Sequence, residues 1–238
     1  MGAGSDVGDS RVLAKGQNGI EVRAGRWTVR VNGPDRAADA LALRARVFRG
    51  GGSDWDPWDA RARHLTVSDG AVAACARLSV GDPRSGYTAE LYGLTPFATR
   101  FPKALEIGRI CLAPEVRDPD LPRLILAMLA RIVVEEGAAA LFGCASFPAD
   151  GAGLSALASR VAPASWRPRR IASETTPLSG PPGLLPPLLR GYLSLGASVS
   201  DHAVIDRDLG TRHVFVALPV AAIPPGRARL LTGMLDAV

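Results

Sequence analysis

At 238 residues the chain is long enough for one large domain or two small ones, and a 47% share of hydrophobic residues supplies a sizeable core and excludes general disorder. Aromatics make up only 5%, so an aliphatic core is expected. The net charge of +5 comes almost entirely from arginine, with Lys15 and Lys103 the only lysines; that balance suits an acidic partner (nucleic acid, an anionic membrane surface or an acidic protein) and is equally what a compositional bias would produce.

The opening MGAGSDVGDS lacks a charged start followed by an apolar run, so it reads as a flexible tail rather than a secretory signal. WTVRVNG, from Trp27, alternates as a strand. PDRAADALALRARVFRGG then has helical spacing, with Ala37, Leu41, Arg44 and Phe48 on one face, Pro34 and Asp35 at its start and Gly50 to Gly52 at its end. SDWDPWDARAR reads as a loop, and HLTVSDGAVAACARLSVGD as a hairpin turning at Asp69-Gly70. The stretch from Pro83 to Lys103 looks irregular, and connections of that length are often lids or substrate-binding loops.

LEIGRICLAP is a strand, and Asp118 to Asp120 with Pro122 open a helix. Its apolar stripe runs through Leu121, Ile125, Met128 and Ile132, and Gly137 ends it. AAALFGCASF is a second apolar strand, and Ser155 to Val161 look helical. Trp166 to Pro187 is proline-rich and basic, hence a loop, and Leu188 to Leu195 form a short helix. VSDHAVIDRDLGTRHVFVALPV is a final strand pair turning near Gly210. This order of elements is that of an α/β protein, a central mixed sheet with helices on both faces.

Other classes find little support. LILAMLA, Leu124 to Ala130, is stopped by Arg131, far short of the ~20 apolar residues a membrane span needs. Cys75, Cys111 and Cys144 are odd in number and widely spaced, which does not suggest a disulfide framework and fits a reducing cytoplasm. His64, His202 and His213 lack metal-ligand spacing, and no metal is expected. No helix-turn-helix or stacked-aromatic motif supports nucleic-acid binding.

The informative anomaly is the charged strand. Glu106 and Arg109 sit among Ile107, Ile110, Cys111 and Leu112. Charged side chains are seldom buried unless paired or employed. Residues three apart in a strand point to opposite faces, unless a bulge at Gly108 re-aims them, and bulges concentrate beside active sites. An edge-strand ion pair facing water is the plainer alternative.

LAPEVRDPDLP resembles the strand-to-helix junction of the GNAT acyltransferases, V-x-P-x-x-R followed by a glycine-rich turn, with Leu112, Pro114 and Arg117 matching its first half. Asp118 and Asp120 stand where the glycines would be. A coenzyme A pyrophosphate needs free N–H groups at a helix start, and two aspartates compete for them and repel phosphate. An acyl thioester on the phosphopantetheine arm of an acyl carrier protein needs no such cradle, and acyl carrier proteins are acidic.

The segments LRARVF, DWDPWD, HLTV, ACARL, LEIGR, LFGCASF, LLPPLLRGYLSLGA and AVIDRDLGT, in that order, resemble the ornithine N-acyltransferases of ornithine-lipid synthesis over roughly Leu41 to Val216. The set Arg44, Phe48, Asp56, Asp59, Arg77, Glu106 and Arg109 also resembles the motif residues of the acyl-homoserine-lactone synthases. The resemblance implies a GNAT-like acyltransferase fold with a central mixed β-sheet flanked by helices. It implies transfer of a (3-hydroxy)fatty acyl group from acyl carrier protein to the α-amine of an amino acid, L-ornithine foremost, giving a lyso-ornithine lipid. The alternatives are a homoserine-lactone-type synthase using S-adenosylmethionine, and another acceptor such as glutamine. The latter is kept open by the arginines of ARAR at Arg61 to Arg63, where the family shows an acid or cysteine.

In that chemistry Glu106 is the candidate base, and Arg109 either keeps it ionised or forks to the acceptor carboxylate. N–H groups freed by a bulge from Gly108 to Ile110 are candidate oxyanion donors. Asp56 and Asp59, beside Trp55 and Trp58, either recognise cationic groups of the acceptor or cap a solvated loop. Arg44 and Arg77 either bind a carboxylate or hold those two aspartates by ion pairs. Phe48, Cys144 and Ser146 complete the candidate substrate site; Phe48 is also a core candidate, and Cys144 a candidate nucleophile or buried thiol. Arg160, Trp166, Arg167, Arg169 and Arg170 form a basic patch, with Arg167, Arg169 and Arg170 the candidate docking residues for the carrier. The expected organisation is a tail over 1–18, one acyltransferase domain over 19–220 and a tail over 221–238. No bound cofactor is expected, and the acyl-phosphopantetheine of the carrier is a co-substrate. The expected location is cytoplasmic, with a surface-bound pool at the inner membrane because the product partitions there.

Overall fold

The computed structural model describes residues 13–16 and 19–233. In chain order the elements are β1 (Leu13–Gly16), β2 (Gly19–Ala24), β3 (Trp27–Asn32), α1 (Ala38–Arg49), β4 (Arg63–Asp69), β5 (Ala71–Gly81), α2 (Thr88–Leu91), β6 (Tyr92–Gly93), α3 (Thr95–Arg100) and β7 (Ala104–Leu112). They continue with α4 (Asp120–Glu136), β8 (Ala140–Pro148), β9 (Arg169–Arg170), β10 (Thr175–Pro177), α5 (Pro187–Ser194), β11 (Ser198–Asp206), β12 (Thr211–Pro219) and α6 (Pro225–Gly233). The chain forms two compact units: one from Met1–Arg77, Arg109–Arg131 and Ala228–Val238, the other from Leu78–Gly108 and Ile132–Arg227. β5, β7, α4 and α6 each continue from one unit into the other. Helix α6 lies in the segment expected as a C-terminal tail, and β1 in the expected N-terminal tail, whose other residues up to 18 lie outside the described ones.

In the first unit β2, β3 and β4 form an antiparallel succession, Val22 facing Val29 and Val29 facing Val67. The hairpin turn falls where its sequence put it, with Gly70 at φ +73, a conformation glycine adopts without strain. Helix α1 ends at Gly50, also left-handed, whose N–H bonds to the Ala45 carbonyl. Its buried face is Ala40, Leu43, Arg44 and Ala45, whereas Leu41 and Phe48 are only half-buried, so the expected stripe is rotated by about one residue. Ala40, Leu43, Cys75, Cys111 and Ala113 make a core of small side chains. The Cys75 and Cys111 sulfurs are 3.5 Å apart as thiols, and the Cys75 thiol is pushed up by that contact and by burial.

In the second unit β7 runs parallel to β8, and β8, β12, β11 and β10 follow antiparallel, which makes the sheet mixed. β8 and β12 are in register from Thr211↔Pro148 to Pro219↔Ala140. The core here is aromatic, not aliphatic as composition suggested: Tyr92, Phe97, Phe101, Phe142, Trp166 and Phe215 pack together. Phe97 is its hub, with ring centroids 5.0 to 5.9 Å from Phe101, Phe142, Trp166 and Phe215. Most of these rings come from the two segments expected as loops. Pro83 to Lys103 holds α2, β6 and α3, and Trp166 to Pro187 holds β9 and β10, because burying the four rings of these segments overrides their weak periodicity.

Candidate active site

Strand β7 carries the anomaly seen in the sequence, and its backbone breaks there. Arg109 has φ +52, the left-handed region that a non-glycine residue adopts at a cost of about 1–3 kcal/mol. The expected break at Gly108 therefore falls one residue later. The register of β7 with β8 runs from Leu105↔Leu141 through Glu106↔Phe142 to Ile107↔Gly143. Gly143 allows that last approach, since a Cβ there would lie 2.1 Å from the Ile107 carbonyl oxygen. Gly108, Arg109 and Ile110, the candidate oxyanion segment, are half-buried.

In the first unit arginines and aspartates interlock. The Arg44 side chain is fully buried. Its guanidinium forks onto Asp59 at 2.6 and 3.0 Å, donates from Nε to Asp54 at 2.8 Å, and from Nη2 to the Asp54 carbonyl at 2.7 Å. Arg49 donates to Asp54 at 3.0 Å. Arg77 donates to Asp56, and to Asp59 at 3.4 Å. Arg109 donates to Asp56 at 3.2 Å, pairs with Asp54 at 3.4 Å, and sits 5.9 Å over the Phe48 ring. Burial alone would raise Asp59, but the Arg44 bonds, the Asp56 N–H and the Arg77 charge outweigh it and hold its carboxyl below the usual range. For Arg44, burial is likewise outweighed by Asp59 and Asp54, and its pKa rises.

Asp59 is buried beneath Arg44 and Arg77, and the polar groups of Asp59 and Arg44 have partners inside the protein, which is the arrangement of the ion-pair alternative for this loop. Asp56 joins the same network, also accepting the Trp58 N–H at 3.0 Å. Asp54, the third acid of SDWDPWD, was not singled out in the sequence, although it is as central as Asp59; the signal available was three acids facing a run of arginines. Arg61, in the departing ARAR stretch, stacks over Trp58 at 4.3 Å.

In the second unit Glu106 is nearly buried, and backbone donors hold its carboxylate. Tyr87 N–H reaches Oε2 at 3.2 Å and Thr88 N–H reaches Oε1 at 2.6 Å. Charge-assisted bonds of this kind contribute about 1.5–3 kcal/mol each. The Cys144 thiol donates to Thr88 Oγ1 at 3.9 Å. Burial pushes that thiol up to about 12, with the Glu106 and Asp206 charges adding to the rise, which is the environment of an inert thiol rather than a nucleophile. Ser146, two residues on, is exposed and pairs across the ladder with His213. His213 Nε2 lies 2.9 Å from Asp206, and this bond is the main cause that brings Asp206 down to about 2.

Of the basic patch, Arg169 and Arg170 are exposed on β9, and Arg167 and Arg170 lie 3.6 and 3.9 Å from Asp201. Trp166 is not part of that surface; it belongs to the aromatic core. At the start of α4, Asp118 accepts the Asp120 N–H at 2.9 Å as well as bonds from Arg26 and Trp27. Among the described residues no cluster of His, Cys, Asp and Glu is suited to a metal, and no helix is long and apolar enough to cross a membrane.

Residues 43–127 match the Acetyltransferase (GNAT) domain family. The fold agrees: a CoA-dependent acyl-homoserine lactone synthase, BjaI, solved with SAM and isopentyl-CoA, superposes with a TM-score of 0.52 at 12% identity, covering 87% of this chain and 88% of that one. This is a GNAT-type acyltransferase, with a mixed sheet flanked by helices. Its sequence is 31% identical over 202 residues to the L-ornithine N(alpha)-acyltransferase of Rhizobium meliloti (strain 1021), covering 71% of this chain and 68% of that protein. It is 26% identical over 253 residues to the protein of the same name from Agrobacterium fabrum (strain C58 / ATCC 33970), covering 88% and 86%. The chain belongs to the L-ornithine N(alpha)-acyltransferase family.

Proposed function

We propose that this protein transfers a (3-hydroxy)fatty acyl group from acyl carrier protein to the α-amine of L-ornithine, releasing a lyso-ornithine lipid. The 31% identity to a protein of that name carries the reading. In the reaction the amine nitrogen attacks the thioester carbonyl, a C–N bond forms, the C–S bond breaks, and the carrier's thiol leaves. The α-amine titrates near ~8, so most of it must lose a proton at neutral pH. Glu106 is the group we assign to that proton, directly or through one water. Each carboxylate oxygen accepts about two hydrogen bonds, so the Tyr87 and Thr88 N–H groups leave acceptor sites over. Arg109 is assigned to the acceptor carboxylate, and N–H groups from Gly108 to Ile110, beyond the last β7–β8 pair, to the oxyanion. Cys144 and Ser146 are assigned to the substrate-binding surface.

Asp118 supports the carrier protein over free coenzyme A as donor. It already takes the Asp120 N–H at the helix start and sets a negative charge where a pyrophosphate would sit. The exposed Arg169 and Arg170, with Arg167, offer an acidic carrier its docking surface. The test is incubation with a 3-hydroxyacyl carrier protein and a panel of free amino acids, read by mass spectrometry. N-acyl-ornithine is expected; another N-acyl amino acid would move the specificity, and no product would end the reading. Glu106→Gln should lower turnover by about 100- to 10,000-fold, and near-normal turnover removes Glu106 from the chemistry.

A further inference from the structure

Gly86 has no conformational reason to be glycine. Its φ of −100 and ψ of 175 describe extended backbone that any residue adopts. What excludes a side chain there is Glu106: a Cβ on Gly86 would lie 2.0 Å from Oε2, 2.7 Å from Cδ and 3.1 Å from Oε1. The carboxylate cannot simply move aside. Glu106 is 8% exposed, and the N–H groups of the two residues after Gly86, Tyr87 and Thr88, hold its two carboxylate oxygens at 3.2 and 2.6 Å. The approach to Gly86 is itself fastened. Asp82 accepts the Arg84 N–H at 2.9 Å and, through its carbonyl, the Ser85 N–H at 3.0 Å and the Ser85 hydroxyl at 2.8 Å. The Gly86 carbonyl then accepts the Ala89 N–H at 3.2 Å at the start of α2.

We propose that Gly86-Tyr87-Thr88 is the positioning element of the reaction, a backbone clamp whose bare Cα at Gly86 lets the Glu106 carboxylate seat on two N–H donors. The inference rests on the assignment of Glu106 to the amine proton and adds to it what aims that carboxylate. A methyl at position 86 would lift the carboxylate off its donors without touching substrate. The effect therefore falls on kcat, with KM for the amino acid little changed.

The test is a cycle of variants on the full chain, each checked for folding by circular dichroism. Gly86→Ala should lower kcat by about 100-fold, within the range a positioned base contributes. Glu106→Asp withdraws the carboxylate by one carbon–carbon bond, about 1.5 Å. In the native chain Glu106→Asp should lower kcat by at least about tenfold. In the Gly86→Ala chain the same change makes room for the methyl and should raise kcat or leave it level. Such a reversal is a coupling that a merely structural glycine would not produce. Gly86→Ala within about threefold of the native kcat, or an equal cost of Glu106→Asp in both chains, overturns the clamp.

Should Gly86→Ala fail to fold, Tyr87→Pro measures the same element. Tyr87 has φ −57, which suits proline, and the extended Gly86 suits the residue before one. Compared with Tyr87→Ala, which keeps the N–H, Tyr87→Pro should lose a further tenfold or more in kcat; equality of the two refutes the clamp. Glu106→Gln separates the failures. If it keeps native turnover, the assignment of Glu106 falls; if it is inactive while Gly86→Ala turns over normally, only the clamp falls.

Discussion

The two units hold their charges by opposite means. In the first, Arg44, Arg49, Arg77 and Arg109 face Asp54, Asp56 and Asp59, and each charge is balanced by side chains of opposite sign. In the second, the Glu106 carboxylate rests on the N–H groups of Tyr87 and Thr88, and an aromatic core supplies the packing. Ion pairs of this density make a rigid scaffold, because removing one member strands another in a buried place. A carboxylate held by two backbone donors retains acceptor sites for a substrate proton. On the proposed function, the pairs of Arg44, Arg49 and Arg77 do the positioning, Arg109 also meets the acceptor carboxylate, and the lone glutamate does the chemistry.

The sharpest way to break that contrast is to remove one member from each unit. Arg44→Ala strips the buried Asp54 and Asp59 of their closest side-chain partner and should cost about 3–5 kcal/mol in urea unfolding. Phe97→Ala opens a cavity among four rings and should cost a similar amount, about 3–5 kcal/mol. Acid tells the two apart. The pKa of Asp59 is depressed in the folded chain, so its contribution is present above the unfolded value of about 3.9 and is lost as pH falls through the folded one. The deficit of Arg44→Ala should shrink below about pH 4, while that of Phe97→Ala stays constant. Equal pH responses would mean that charge compensation is not what Arg44 provides.

Asp206 sharpens the same point within the second unit. Its pKa of about 2 is depressed chiefly by His213, so its stabilisation is full above about pH 4 and disappears by about pH 2. Asp206→Asn should be less stable than the native protein at pH 6, and the gap should close as urea midpoints are followed down to pH 2. A gap constant with pH would exclude the ion pair as its cause.

Smaller effects are expected at the surface and at the thiol. Arg169→Glu combined with Arg170→Glu should raise KM for the carrier about tenfold at low salt, and less at high salt, because screening weakens exposed charges. A salt-independent or unchanged KM would move docking elsewhere. Cys144→Ala should keep turnover within about threefold, since a thiol near about 12 is not a nucleophile at neutral pH. A loss of a hundredfold or more would restore Cys144 to the chemistry.

Local pattern alone was enough for the strands from Trp27, the Asp69-Gly70 hairpin, the α4 stripe of Leu121, Ile125, Met128 and Ile132, and the last strand pair, because these are long, periodic and punctuated by glycine. It also marked Glu106 and Arg109 as out of place, whereas the serial arginines and aspartates stood together as one set only through the resemblance to the acyl-homoserine-lactone synthases. What it could not supply is who meets whom. Asp54 and Asp56 were indistinguishable as letters, and only folding buries the first beneath Arg44 and sets the second between Arg77 and Arg109. Phe97 and Trp166 read as loop residues because their ring partners lie far along the chain: Phe142 on β8 and Phe215 on β12 for Phe97, and Phe97 and Phe101 for Trp166. Gly86 carried no signal: its conformation is ordinary, and the atom that forbids a side chain there belongs to a residue twenty positions later. Periodicity is a local property and can be read from neighbours, whereas the seating of a buried charge depends on donors that only the tertiary structure brings to it.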